Sequence, residues 1–97
     1  LNYHSICQNS YLFLSFLNRL KAIFYKKDEV IEIYYNDVMI KNHITNGQDD
    51  WFGFDINGKE YDLNLYNDTL GLYECIQTGE NQYETGEFLD NIKLEIR

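Results

Sequence analysis

The chain has 97 residues, enough for one domain spanning 1–97 with a modest single core that needs neither a disulfide nor a metal to fold. Apolar residues at 44% and charged residues at 25% are ordinary globular values. The formal charge of −8 excludes a general electrostatic grip on DNA or RNA, which needs Lys and Arg to displace counterions.

Residues 1–9 read as a polar lead-in with Ile6 and Cys7 tucked in, and Ser10 is an N-cap for a helix over about 11–26. Phe13, Phe16, Leu17, Leu20 and Phe24 follow helical spacing and form one stripe, widened by Leu12 and Ile23. Arg19, Lys21, Lys26 and Lys27 suit the negative end of the helix dipole. The opposite face, with Tyr11, Leu14 and Tyr25, is more aromatic than solvent requires.

Residues 29–44 read as a hairpin turning at Asn36-Asp37, which sets Tyr35 opposite Val38, Ile33 opposite Ile40 and Glu32 opposite Lys41. Residues 45–50 are a loop. The stretch Trp51 to Asn67 is a second hairpin closed by Asn57-Gly58, the strongest short-range hairpin signal because both residues tolerate positive φ. A two-residue loop there pairs Ile56 with Lys59, Asp55 with Glu60, Phe54 with Tyr61 and Phe52 with Leu63. Phe52, Phe54, Ile56, Tyr61, Leu63 and Leu65 then face the core, and Trp51, Asp55, Glu60, Asp62, Asn64 and Tyr66 face outward. Asp55 opposite Glu60 is a like-charge pair, a local cost.

A turn at Asn67-Asp68-Thr69 leads into a strand near 70–77, with Leu70, Leu72 and Ile76 on one face and Tyr73 and Cys75 on the other. Residues 78–87 are expected to be a mobile acidic loop, and residues 90–97 a half-buried antiparallel strand. The fold class that follows is α+β: one N-terminal amphipathic helix packed on a twisted antiparallel sheet of about five to six short strands.

The sequence offers little chemistry. Asp55, Asn57 and Gly58 echo a calcium loop, but no Glu closes it, and His4, Cys7, His43 and Cys75 lack zinc-site spacing, so no cofactor or metal is expected. Cys75 with His43 is the one Cys–His pair worth naming, and nearby acids such as Glu74 raise a thiol pKa rather than lower it. With no phosphate loop and no catalytic constellation, the chain is not expected to be an enzyme. Cys7 and Cys75 are read as free thiols in a reducing, cytoplasmic compartment. Asn18, Arg19 and Lys21 interrupt the apolar run from Tyr11 to Phe24, so neither a membrane span nor a signal-peptide core is expected. Asn67-Asp68-Thr69 matches the glycosylation pattern by chance. The opening Leu1 fits a processed form, a fragment or a non-AUG start.

Binding remains. Residues 1–47 hold four acids and five bases, whereas residues 48–97 hold twelve acids and three bases. The expected function is a small acidic protein-binding module, an inhibitor or immunity-type protein, that docks Trp51, Asp55, Glu60, Asp62, Asn64 and Tyr66 on a partner with a basic surface. A nucleic-acid-handling protein is one such partner, and the chain itself is expected to bind neither nucleic acid nor membrane. In size, charge and class the chain is similar to bacterial toxin-immunity proteins and phage anti-CRISPR or anti-restriction inhibitors, although no motif ties it to one. Its abundant Asn, Ile, Lys and Tyr also suit an AT-rich bacterial or phage gene. The alternative is a structural domain that uses the sheet face, or the Tyr11, Leu14 and Tyr25 helix face, to form a homodimer. A small-ligand pocket between helix and sheet is disfavoured by nine Tyr and six Phe, which fill a core.

Overall fold

A computed structural model describes residues 3–97, with side chains from residue 11 onward. The described residues form α1 (Tyr3–Asn18) and eight strands: β1 (Leu20–Tyr25), β2 (Val30–Tyr35), β3 (Val38–Ile44), β4 (Asp50–Ile56), β5 (Lys59–Tyr66), β6 (Thr69–Gly79), β7 (Gln82–Asn91) and β8 (Lys93–Ile96). The strands make two four-stranded sheets, in the orders β3-β2-β1-β8 and β4-β5-β6-β7. The α+β class stands. The single sheet of five to six strands does not.

Both extra strands come from segments with competing signals. Leu20, Ala22 and Phe24 belong to a strand rather than to the end of the expected 11–26 helix; they alternate with Lys21, Ile23 and Tyr25, and the first three are buried. The helix instead takes in the expected lead-in, so Ser10 lies inside it rather than at its cap. It ends with the Arg19 amide donating to the Phe16 carbonyl at 3.1 Å, a tightened last turn. Phe13, Phe16 and Leu17 pack on the core, but Tyr11, Leu12 and Leu14 are exposed, so the helix is not cleanly amphipathic. The side chains of His4, Ile6 and Cys7 lie outside the described residues. The second extra strand is β7, where a loop was expected. The turn at Glu80-Asn81, with Asn81 at φ 59°, folds 82–91 back onto β6.

Three two-residue turns carry positive φ at both positions, Asn36-Asp37, Asn57-Gly58 and Asn67-Asp68. Their backbone twist matches that of the flanking strands, so they close β2–β3, β4–β5 and β5–β6. The β4–β5 register is the expected one throughout, from Phe52↔Leu63 to Ile56↔Lys59. The β2–β3 register is not. A bulge between Ile33 and Tyr34 sets Ile33 opposite Lys41 and Glu32 opposite Asn42. One inserted residue turns every later side chain to the other face. His43 therefore lies opposite Ile31 and stacks on Phe52, with ring centroids 4.1 Å apart. Val38, expected in the core, is exposed.

The inner faces of both sheets share one core. Leu20, Phe24, Ile31 and Ile33 from the first sheet meet Phe52, Leu63, Leu65, Leu70 and Leu72 from the second. Ile76, expected on that inner face, is exposed because β6 runs past the core. Residues 90–97 do not make one antiparallel strand: β7 ends at Asn91, Ile92 is buried, and β8 pairs parallel to β1. Ile92 turns the chain from one sheet into the other, with its amide donating to the Leu70 carbonyl at 2.8 Å.

Candidate protein-binding face

The outer face of the second sheet contains all six residues picked from the sequence, in cross-strand rows. Trp51 lies opposite Asn64, which lies opposite Gly71. Gly53, Asp62, Tyr73 and Phe88 form the next row across four strands. Asp55 and Glu60 follow at the hairpin end. Tyr66 stands at the other end, beside residues 47–49 of the loop before β4.

Half of the six have structural work. Asp55 Oδ1 accepts the Gly58 amide at 3.3 Å, so this carboxylate braces the Asn57-Gly58 turn. Asn64 donates through Nδ2 to Asp49 Oδ1 at 3.0 Å and to the Asp50 carbonyl at 3.3 Å, fastening the start of β4. Asp62 Oδ2 accepts the Thr85 hydroxyl at 2.8 Å and ties β5 to β7 across β6. Glu60, by contrast, has a local cost and, among the described residues, no such bond. The matched charges expected across β2–β3 are also absent, since Glu32 faces Asn42 and accepts the Tyr34 hydroxyl at 2.9 Å.

What the six omit is the aromatic stripe. The Trp51 and Tyr73 ring centroids lie 4.8 Å apart, and those of Tyr73 and Phe88 lie 5.3 Å apart edge-on. Trp51 remains 47% exposed and Phe88 51%. Part of the stripe serves the sheet: a Cβ on Gly71 would lie 3.1 Å from the Tyr73 ring and 3.4 Å from the Phe88 ring, so the two rings roof a glycine. Tyr73 was legible as an outward residue. Phe88 was hidden by reading 78–87 as a loop, although Gly79-Glu80-Asn81 carries turn residues between two strand-like runs.

Burial pushes the Cys75 thiol up, and the Asp62 and Glu60 charges with a hydrogen bond to Asp62 push it further, so a thiolate is disfavoured. Glu74, the acid named from the sequence, is not among these causes. Cys75 and His43 are not brought together: Cys75 is on β6, opposite Thr85, while His43 is on β3 against Phe52. His43 Nε2 donates to Asp50 Oδ2 at 3.0 Å. Among the described residues, no three His, Cys, Asp or Glu side chains gather for a metal ion, and no helix is long and apolar enough to cross a membrane. Lys41, Asp55 and Glu60 line one open groove where β3 approaches β4. Comparison with protein-family models, curated proteins and solved structures finds no match.

Proposed function

We propose that this chain is a non-catalytic protein-binding module that docks the outer face of its second sheet on a basic protein surface. The observation that carries the reading is the stripe Trp51–Tyr73–Phe88, half exposed on a face where Glu60, Asp55 and Asp62 supply negative charge. Packing inside the chain accounts for the roof over Gly71 but not for the open sides of Trp51 and Phe88. Large, stiff aromatics surrounded by charge are what interface hot spots use. Carboxylates on a strand face also stand in for phosphates, which makes an inhibitor or immunity-type role against a nucleic-acid-handling partner the favoured form, in a bacterial or phage setting. A free Cys75 suits a cytoplasmic location.

The test is affinity capture with the wild type and with Trp51→Ala/Phe88→Ala, followed by titration of the captured protein. A basic partner should bind the wild type, lose at least about tenfold in affinity to the variant, and bind more weakly as salt rises. A partner held equally by both proteins moves the binding surface elsewhere. A salt-independent dimer that buries the stripe would favour homo-oligomerisation instead.

A further inference from the structure

The second sheet ends in β4 and β7; β3 comes near the outer side of β4, whereas the outer side of β7 is open. β7 is its last strand, and no described strand pairs along its outer side. Natural edges are blunted by short strands, Lys, Pro or bulges. β7 is 10 residues long and contains neither Lys nor Pro. It does contain bulges. Two residues, Gly86 and Glu87, oppose Glu74 alone, and Leu89 has no partner between the Leu72↔Asp90 and Tyr73↔Phe88 pairs. These twist the half of the edge nearest Ile92 away from pairing.

In the other half β7 itself has no inserted residue; the one irregularity lies on the inner strand, where Thr78 of β6 has no partner between Gln77↔Tyr83 and Gly79↔Gln82. Thr85, Glu84 and Tyr83 pair in sequence with Cys75, Ile76 and Gln77, and residues 82–85 are all exposed. This half also projects beyond the neighbouring hairpin. β4 and β5 end at Ile56↔Lys59, and the β5–β6 ladder begins at Tyr61↔Glu74, whereas β6–β7 continues to Gly79↔Gln82. On an antiparallel edge every second residue points its amide and carbonyl outward, so the tip of β7 offers main-chain donors and acceptors.

We infer that the tip of β7, Gln82–Thr85, is a strand-addition site for an extended, basic segment of the partner protein. The charge decides the occupant. Glu80, Glu84 and Glu87 lie at or beside the tip, and residues 80–91 contain no base. A second copy would bring another net −8 to the same edge, whereas a strand with Lys or Arg at alternate positions pairs its charges with Glu84 and its neighbours. Main-chain bonds hold such a segment in place, and the alternate side chains choose it. The inference rests on the basic partner proposed above and adds how that partner is held. The tip joins the face of the stripe at Thr85, whose hydroxyl donates to Asp62, the residue opposite Tyr73.

The experiment uses a ten-residue peptide of alternating Lys and Val, and the same peptide N-methylated at every second residue, which keeps the charge and blocks strand pairing. Residue-resolved hydrogen exchange is followed in the whole chain, with Trp51 emission as a second signal. The unmodified peptide should slow exchange of the outward amides among residues 82–85 by about tenfold or more. The N-methylated peptide should bind at least about tenfold more weakly. Glu84→Lys/Glu87→Lys, two exposed changes, should weaken binding of the unmodified peptide without lowering the melting temperature. The edge site is overturned if amides 82–85 stay fast at saturating peptide, or if both peptides bind alike. It is overturned equally if those amides are already protected in a dimer of the free chain. If Trp51 emission still responds to both peptides while amides 82–85 stay fast, the basic-partner reading survives and only the edge fails.

Discussion

At the scale of single residues, Asp55 shows how a bonded acid differs from a merely charged one. The pair Asp55↔Glu60 places like charges opposite each other, yet among the described residues only Asp55 has a partner, the Gly58 amide. The two substitutions should therefore have opposite signs. Glu60→Lys should raise stability by a few tenths of a kcal/mol by replacing repulsion with attraction. Asp55→Lys should lower it by about 0.5 kcal/mol, because the lost turn bond outweighs the same electrostatic gain. Urea melts of both variants check this, and equal signs would mean that the bond at 3.3 Å contributes nothing. Asp50 supplies the pH dependence. Burial pushes its carboxyl up, but hydrogen bonds from Thr45 and His43 outweigh burial, so it sits below its ordinary value near 3.8. A carboxyl depressed in the fold adds stability that is complete above its ordinary pKa and is lost as pH falls through the lower folded value. Asp50→Asn should lower the melting temperature at pH 6 and flatten the acid limb below about pH 4. Melts across that range compare the two slopes, and parallel curves would remove Asp50 from the account.

At the scale of elements, the loop before β4 and the turn at 57–58 carry glycines in the same conformation and different surroundings. Gly47 has φ +83° and Gly58 φ +84°. A Cβ on Gly47 would lie 2.7 Å from the ring of the buried Phe24, while nothing lies within 4 Å of one on Gly58. Both Ala substitutions should cost about 1 kcal/mol for positive φ, and Gly47→Ala about 1–2 kcal/mol more for the clash. Chemical denaturation measures the difference, which isolates the seating of the loop on the first sheet. The same scale shows what was legible beforehand. The β4–β5 hairpin was readable in full, since Asn57-Gly58 sets the turn and strict alternation sets the face. Residues 17–24 were ambiguous, because Leu17, Leu20 and Phe24 fit a helix while Leu20, Ala22 and Phe24 fit a strand. Tertiary pairing of β1 with both β2 and β8 decides for the strand. The bulge that turns Lys41 and His43 inward has no glycine to mark it. For the binding face, the outward set on β4 and β5 could be read from period two alone. Its duties, and the entry of Phe88 through β7, depend on bonds and pairings across β6 that no local pattern encodes.

The charge of the whole molecule divides along the chain, and folding and binding should therefore respond to salt in opposite directions. The excess negative charge lies in residues 48–97, which supply the second sheet together with β8. Against it stand exposed pairs such as Lys21–Asp37 at 3.0 Å and Lys26–Asp68 at 3.2 Å. Exposed pairs contribute about 0–1 kcal/mol each and weaken with salt, so screening them costs little. Repulsion among twelve acids against three bases involves many longer separations, and a screening length of about 10 Å at 0.1 M removes most of it. Relief should win. Raising NaCl from about 0.05 to 0.5 M should stabilise the fold by about 0.5 kcal/mol, a rise in melting temperature of about 2–4 °C. The same salt should weaken a complex held by the acidic face, because attraction across an interface is screened as repulsion within the chain is. Parallel salt series of melting temperature and partner affinity test both signs together. A falling melting temperature would mean that the ion pairs outweigh the repulsion, and affinity unchanged by salt would leave the aromatic stripe, not the carboxylates, as the source of binding.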